Sequence, residues 1–186
     1  MQANELMKKI TLEIADIAER VDSNQIEEFC KEVLKAENIF VTAKGRSNYI
    51  SKCFAMRLAQ LGLKCYCIDE TNTPSVSEND ILVICSGSGE TEPLVIAGRH
   101  CLRIGAKLAL ITADANSTLA GLAHTVIEIP SYSAKIKGKN TTPTINIMGN
   151  QFETSMLFAL DVCVIKMMES LGITEEQMMR RHKNIE

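Results

Sequence analysis

The segment Ser86-Gly87-Ser88-Gly89-Glu90-Thr91 gathers three hydroxyl groups and two glycines within six positions. Glycines let a backbone approach a ligand closely, and hydroxyls donate hydrogen bonds to it. The segment follows the apolar run 81–85 and precedes a helical stretch at about 90–104, so it reads as the turn between a strand and a helix. That is the carboxyl edge where ligands bind in open parallel sheets. A phosphomonoester has three terminal oxygens that need several donors. Hydroxyls, free first-turn amides and the positive end of the helix dipole supply them without a lysine. Glu90 has to point away, because a carboxylate would repel a bound dianion. Pro93 suits a first turn, where no N–H is required. Spacing alone leaves a second reading open, a flexible turn with a serine cap. A dinucleotide site is disfavoured because G-x-G-x-x-G is not matched, and a P-loop would end in Lys-Ser or Lys-Thr.

The surrounding pattern has to position this turn. Leu6, Ile10, Ile14, Ile17 and Val21 recur at helical spacing, and a second helix is expected at about 25–36. Short apolar runs follow at 39–41, 65–68, 81–85, 108–111 and 125–129, with helical stretches near 47–61, 90–104 and 117–122 between them. Strands apolar on both faces and separated by helices predict an α/β three-layer sandwich, a five-stranded parallel sheet covered by helices on both sides and wound right-handed. The predicted organisation is one domain over 1–186: N-terminal helices at 2–36, a sheet core at 38–130, a lid-like loop at 130–150 with Lys135, Lys137 and Lys139, and C-terminal helices at 151–183. The long helix from about 151 to 171 is apolar around more than half its circumference, which one sheet face can hardly bury. It suggests a helical surface shared between subunits.

Composition narrows the partners. The net charge of -3 gives no basic field for nucleic acid or an anionic membrane. No apolar run is long enough to span a bilayer, and charged residues interrupt the N-terminal segment, so a cytoplasmic protein is expected. Seven cysteines, mostly within apolar runs and without a C-x-x-C pair, read as reduced core thiols.

Taken together, Ile84-Cys85-Ser86-Gly87-Ser88-Gly89-Glu90-Thr91, Glu70-Thr71-Asn72-Thr73-Pro74, Gly45-Arg46-Ser47, Phe54-Ala55-Met56-Arg57-Leu58, Met148-Gly149, Phe152-Glu153 and Arg181-His182 resemble, in this order, the sugar isomerase (SIS) domain family. Within it the layout is most similar to the 6-phospho-3-hexuloisomerases and covers almost the whole chain. The resemblance implies a homotetramer that interconverts a 3-ketohexulose 6-phosphate and fructose 6-phosphate without metal, nucleotide or other cofactor. It implies that Ser86, Gly87, Ser88 and Thr91 hold the phosphate of a small-molecule phosphosugar, that Arg46 and Ser47 line the same pocket, and that Glu153 is the base. The chemistry is coherent: moving a carbonyl from C3 to C2 removes a proton from C2, passes through an enediolate and returns a proton to C3, and one carboxylate can do both. Without the resemblance Glu153 would read as a first-turn acid favoured by the helix dipole.

The chain departs from the family at Lys44, Asn48, Ile147 and Asn150, which puts the exact sugar in question. His182 reads first as a cationic helix end and second as a proton-transfer residue reaching a neighbouring subunit's site. Two alternatives remain beside the hexulose isomerase: a non-catalytic phosphosugar sensor, and an isomerase of an arabinose or heptose phosphate. Sensors of this type carry a DNA-binding segment. This chain begins directly at its first helix, which favours an enzyme.

Overall fold

The computed structural model describes residues 1–132 and 144–185. Two helices, α1 (Ala3–Arg20) and α2 (Ser23–Lys35), precede β1 (Ile39–Ala43). The chain continues through α3 (Arg46–Leu61), β2 (Cys65–Cys67), β3 (Ile81–Cys85), α4 (Glu92–Ile104), β4 (Lys107–Thr112), α5 (Thr118–Leu122) and β5 (Thr125–Glu128). It ends in α6 (Asn150–Leu171) and α7 (Glu175–Arg180). All five strands are parallel, in the order β2-β1-β3-β4-β5. The order is doubly wound; the parallel sheet covered by helices on both sides is what the alternation of strands and helices predicts. Every residue of β1 and β3 is buried, because helices cover both faces of the sheet.

Alternation along the strands sorts their side chains into two cores. Ile39, Val41, Ala43, Ile81, Val83 and Cys85 pack with α1, α2, α3 and α6 on one face. Phe40, Leu82, Ile84, Leu108 and Leu110 pack with α4 and α5 on the other. The stripe expected on α1 is only half used: Ile14 and Ile17 are buried, whereas Leu6 is exposed. On α6, Phe158, Val162 and Ile165 stay about half exposed at helical spacing, so the sheet and its helices do not use up this apolar surface. All seven cysteines are free, but Cys53 is exposed on α3 and is no core thiol. The described parts of the expected 130–150 loop are its two flanks; Lys135, Lys137 and Lys139 lie outside the described residues.

At the amino edge of the sheet, Asp80 ties β1 to β3. It is 1% exposed; its Oδ1 accepts from the Asn38 N–H and Nδ2, and its Oδ2 from the Ser77 N–H and Oγ. Burial alone would raise its pKa, but these four bonds together hold it below the ordinary carboxylate value. Asp80→Ala leaves buried donors unpaired and should cost on the order of 3 kcal/mol in chemical denaturation. The lowered folded pKa also fixes a sign. Below about pH 4 the unfolded state binds the proton first, so Asp80's contribution is full above that range and is lost as pH falls through the folded value. Melting temperature measured against pH should therefore drop less steeply below pH 4 in Asp80→Ala than in the parent.

Candidate active site

A cavity of about 480 Å³ opens at the carboxyl edge of the sheet, between β1 and β3. This is the switch point, where α3 leaves β1 toward one face and α4 leaves β3 toward the other. Arg46, Ser47, Ser86, Gly87, Ser88, Thr91 and Glu153 all line it. The residues expected to bind phosphate and the expected base thus meet in one place.

The 86–91 loop is held through its carbonyls. Gly87 O accepts from the Ala113 N–H and from Thr112 Oγ1, and Gly89 O accepts from the Leu119 N–H. The amides of Gly87, Ser88 and Thr91 have no partner among the described residues. Gly89 sits at φ +62, and a Cβ there would overlap the Ser117 side chain. Gly87 lies against the Phe152 ring, which an added Cβ would approach to 3.1 Å. Glu90 points away as the electrostatics require: it accepts from the Thr118 N–H at 2.5 Å and from Thr118 Oγ1 at 2.8 Å, binding the start of α5.

Three helices begin at the cavity: α3 after Gly45, α4 after Thr91 and α6 after Gly149. None of these three caps makes a side-chain hydrogen bond to its helix, whereas α2, α5 and α7 are capped by Asp22, Ser117 and Thr174. Uncapped first turns leave N–H donors and positive dipole ends facing one space, which suits an anion. Met148, at φ +52, makes the turn that aims α6 at this space. Outside glycine that conformation costs about 1 kcal/mol.

Glu153, in the first turn of α6, has a side chain only 15% exposed, and its Oε2 lies 3.3 Å from Arg46 Nε. Arg46 is 60% exposed, so the pair adds little stability and its geometry can yield to a ligand. Cys85 forms part of the cavity floor, and burial pushes its thiol up to about 12, which keeps it from being a nucleophile near neutral pH. Among the described residues no group of His, Cys, Asp and Glu is arranged to hold a metal ion.

His182 lies elsewhere in this chain. The preceding Arg181 donates to Gln60 O at 3.1 Å and packs against Gly62, at the far end of α3. That 16-residue helix separates the two places by about 24 Å. Asn48 also lies outside the cavity: its Nδ2 donates to Asp69 Oδ2, so it anchors the segment after β2. Lys44, Ile147 and Asn150 do line the cavity. Lys44 directly follows Ala43, which pairs with Cys85, and it has no ion-pair partner among the described residues. Its charge was visible in the sequence, but its place beside the 86–91 loop depends on the β1–β3 pairing.

A family model described as the SIS domain matches residues 32–160, from the end of α2 into α6, and so takes in all five strands. The chain belongs to the SIS domain family. This SIS protein is 30% identical over 186 residues to a protein of Bacillus subtilis named 3-hexulose-6-phosphate isomerase, covering 100% of both chains. It is 32% identical to a protein of the same name from Methanocaldococcus jannaschii, over 87% of this chain and 84% of that one. The crystal structure of a hypothetical protein from Methanococcus jannaschii, from which a 3-hexulose-6-phosphate isomerase function was inferred, superposes with a TM-score of 0.83 at 29% identity, covering 98% and 99% of the two chains. Among the described residues, no helix of this SIS protein is long and apolar enough to cross a membrane.

Proposed function

We propose that this SIS protein is a phosphosugar isomerase that interconverts 3-hexulose 6-phosphate and fructose 6-phosphate through an enediolate. The observation that carries the reading is the convergence of three uncapped helix starts and the hydroxyl-rich 86–91 loop on a cavity that also holds one carboxylate, Glu153. Relatives named 3-hexulose-6-phosphate isomerase, matched over 100% and 87% of this chain, support the choice of sugar. The cavity volume falls within the range of about 300–1,000 Å³ typical for small-molecule sites.

In this reading the phosphate sits on Ser86, Gly87, Ser88 and Thr91, with Ser47 beside it. Glu153 takes the proton from C2 of the hexulose and returns it to C3. Arg46, next to Glu153, stabilises the negative oxygen of the enediolate. Binding energy from the remote phosphate holds the reacting carbons against the carboxylate. The hydroxyl proton passes from O2 to O3 of the enediolate, so the isomerisation balances without a cofactor. The chain works in the cytoplasm as a homotetramer, with partner copies covering the apolar stripe Phe158, Val162 and Ile165. His182 then acts only if the assembly brings it to a neighbour's cavity.

The test is isotope exchange. In deuterated water the protein should place deuterium at C3 of fructose 6-phosphate, read by NMR. Deuterium at C1 would identify an aldose–ketose isomerase instead. Binding without any exchange would identify a sensor.

Lys44 supplies the second prediction of this reading. As a cation with no ion-pair partner among the described residues, next to the 86–91 loop, it should contact the phosphate, so Lys44→Ala should raise KM about tenfold, some 1.4 kcal/mol, with kcat little changed. The dependence of KM on salt should flatten in parallel. An unchanged KM and salt slope would show that Lys44 is only solvated.

A further inference from the structure

Glu13 of α1 lies outside the cavity, yet it is the hub of a hydrogen-bonded network that reaches the cavity rim. Its Oε2 accepts from Thr144 Oγ1, from Asn146 Nδ2 at 2.7 Å and from Gln151 Nε2 at 3.3 Å, and its Oε1 accepts from the Ile145 N–H at 3.1 Å. The network extends one step further on each side. Asn146 Oδ1 accepts from Asn150 Nδ2 at 2.8 Å, and Gln151 Oε1 accepts from the Tyr132 N–H at 2.7 Å. Asn146 and Gln151 are buried, so their amides depend on these partners.

Two of the groups tied in this way, Asn150 and Gln151, are the first residues of α6, and Glu153 stands in the same first turn. The rim residues Ile147, Met148 and Gly149 are spanned between Asn146 and Asn150. Met148 holds a left-handed conformation there, which persists only where the surroundings impose it. The start of α6 has no cap from its own N-cap residue, so its orientation depends on contacts from elsewhere. α1 packs along α6 through Ile14 and Ile17, on either side of the turn that follows Glu13, which fixes the hub itself.

We infer that Glu13 is a positioning residue for Glu153: it sets the angle and depth at which the first turn of α6 presents the catalytic carboxylate to the substrate. The inference rests on the reading of Glu153 as the base. The network demands an acceptor at every contact. A carboxylate offers about four lone-pair sites and donates nothing, which matches four incoming donors. Glutamine has the same shape but turns two hydrogens toward donors, so the rim would have to shift. Misplacing a reacting group by about 1 Å can cost roughly 10²-fold in rate. The phosphate loop is not part of this network, so ground-state binding should survive.

Glu13→Gln should therefore lower kcat about 10²-fold while KM for the phosphosugar stays within about twofold. Glu13→Asp keeps a charged acceptor on a shorter arm and should recover a large part of kcat. Asp80→Asn is the control. Asp80 likewise accepts four hydrogen bonds, but it is fully buried and sits at the opposite edge of the sheet, so Asp80→Asn should lose stability and keep kcat at temperatures where it is folded. Amide hydrogen exchange at Ile145 and in the first turn of α6 should accelerate in Glu13→Gln whatever the activity. If folded Glu13→Gln keeps the parent's kcat, or if Asp80→Asn loses kcat equally, the positioning role is wrong. A parent protein that exchanges no substrate deuterium removes the isomerase reading, and the inference with it.

Discussion

Glu153→Gln should reduce deuterium exchange into fructose 6-phosphate by about 10²- to 10⁴-fold, the range a positioned general base contributes. The variant keeps the shape of the side chain and loses only the ability to take a proton. Its setting should tolerate the change, because the partner Arg46 is largely exposed and the pair contributes little to stability. The donors proposed to hold the phosphate lie on other elements that line the cavity: the 86–91 loop and the first turn of α3. Phosphosugar binding should therefore persist. At about a hundredfold excess over the dissociation constant, a ligand adds roughly 2.7 kcal/mol of stability, so a thermal shift close to the parent's is the expected companion result. Exchange that survives in Glu153→Gln would move the base to another residue, and loss of binding along with exchange would make Glu153 a structural acid.

Gly89→Ala should abolish phosphosugar binding through one added methyl group. Two costs coincide there. At φ +62 an L-residue loses about 1–2 kcal/mol relative to glycine. The new Cβ would also overlap Ser117, whose hydroxyl caps α5 by accepting from the Ala120 N–H. The loop can relieve both only by moving, which would break the Leu119 N–H bond to Gly89 O and turn the free amides away from the cavity. The total should be on the order of 3–4 kcal/mol, large for a single methyl group. A double variant separates the parts. Ser117→Gly in the Gly89→Ala background removes the overlap and leaves the conformational cost, so denaturation should show recovery of more than half the loss. If titration calorimetry finds unchanged phosphosugar affinity in Gly89→Ala, the 86–91 loop is not the phosphate site.

Much of this was open to reading before the fold was known. β3 was legible to the residue because its apolar run stops where Ser86 begins, and the helix after it because Pro93 and the apolar spacing mark a first turn. The orientation of Glu90 followed from charge alone, although the partner it found, Thr118, did not. The family likeness singled out Glu153, which lines the cavity; spacing would have left it as an ordinary first-turn acid.

Glu13 shows where such reading stops. In the sequence it is one more charge beside an apolar stripe, and its four donors lie more than 130 positions away. Lys44 and Asn48 lie on the two sides of the Gly45 turn, yet Asn48 bonds to the segment after β2 and Lys44 lines the cavity. His182 was a candidate on chemistry, and the docking of Arg181 at the far end of α3 sets it apart from its own chain's site.

The sequence by itself determined the number and order of the elements, the place of the glycine- and hydroxyl-rich 86–91 turn and the family, because periodicity, turn residues and helix starts are properties of neighbouring residues. The tertiary structure decided which of those elements meet. Pairing β1 with β3 at the switch point sends α3 and α4 to opposite faces, and α6 returns to close the gap between their starts. The cavity, its three uncapped helix ends and the hold of Glu13 on the last of them exist only once strands distant in sequence lie side by side.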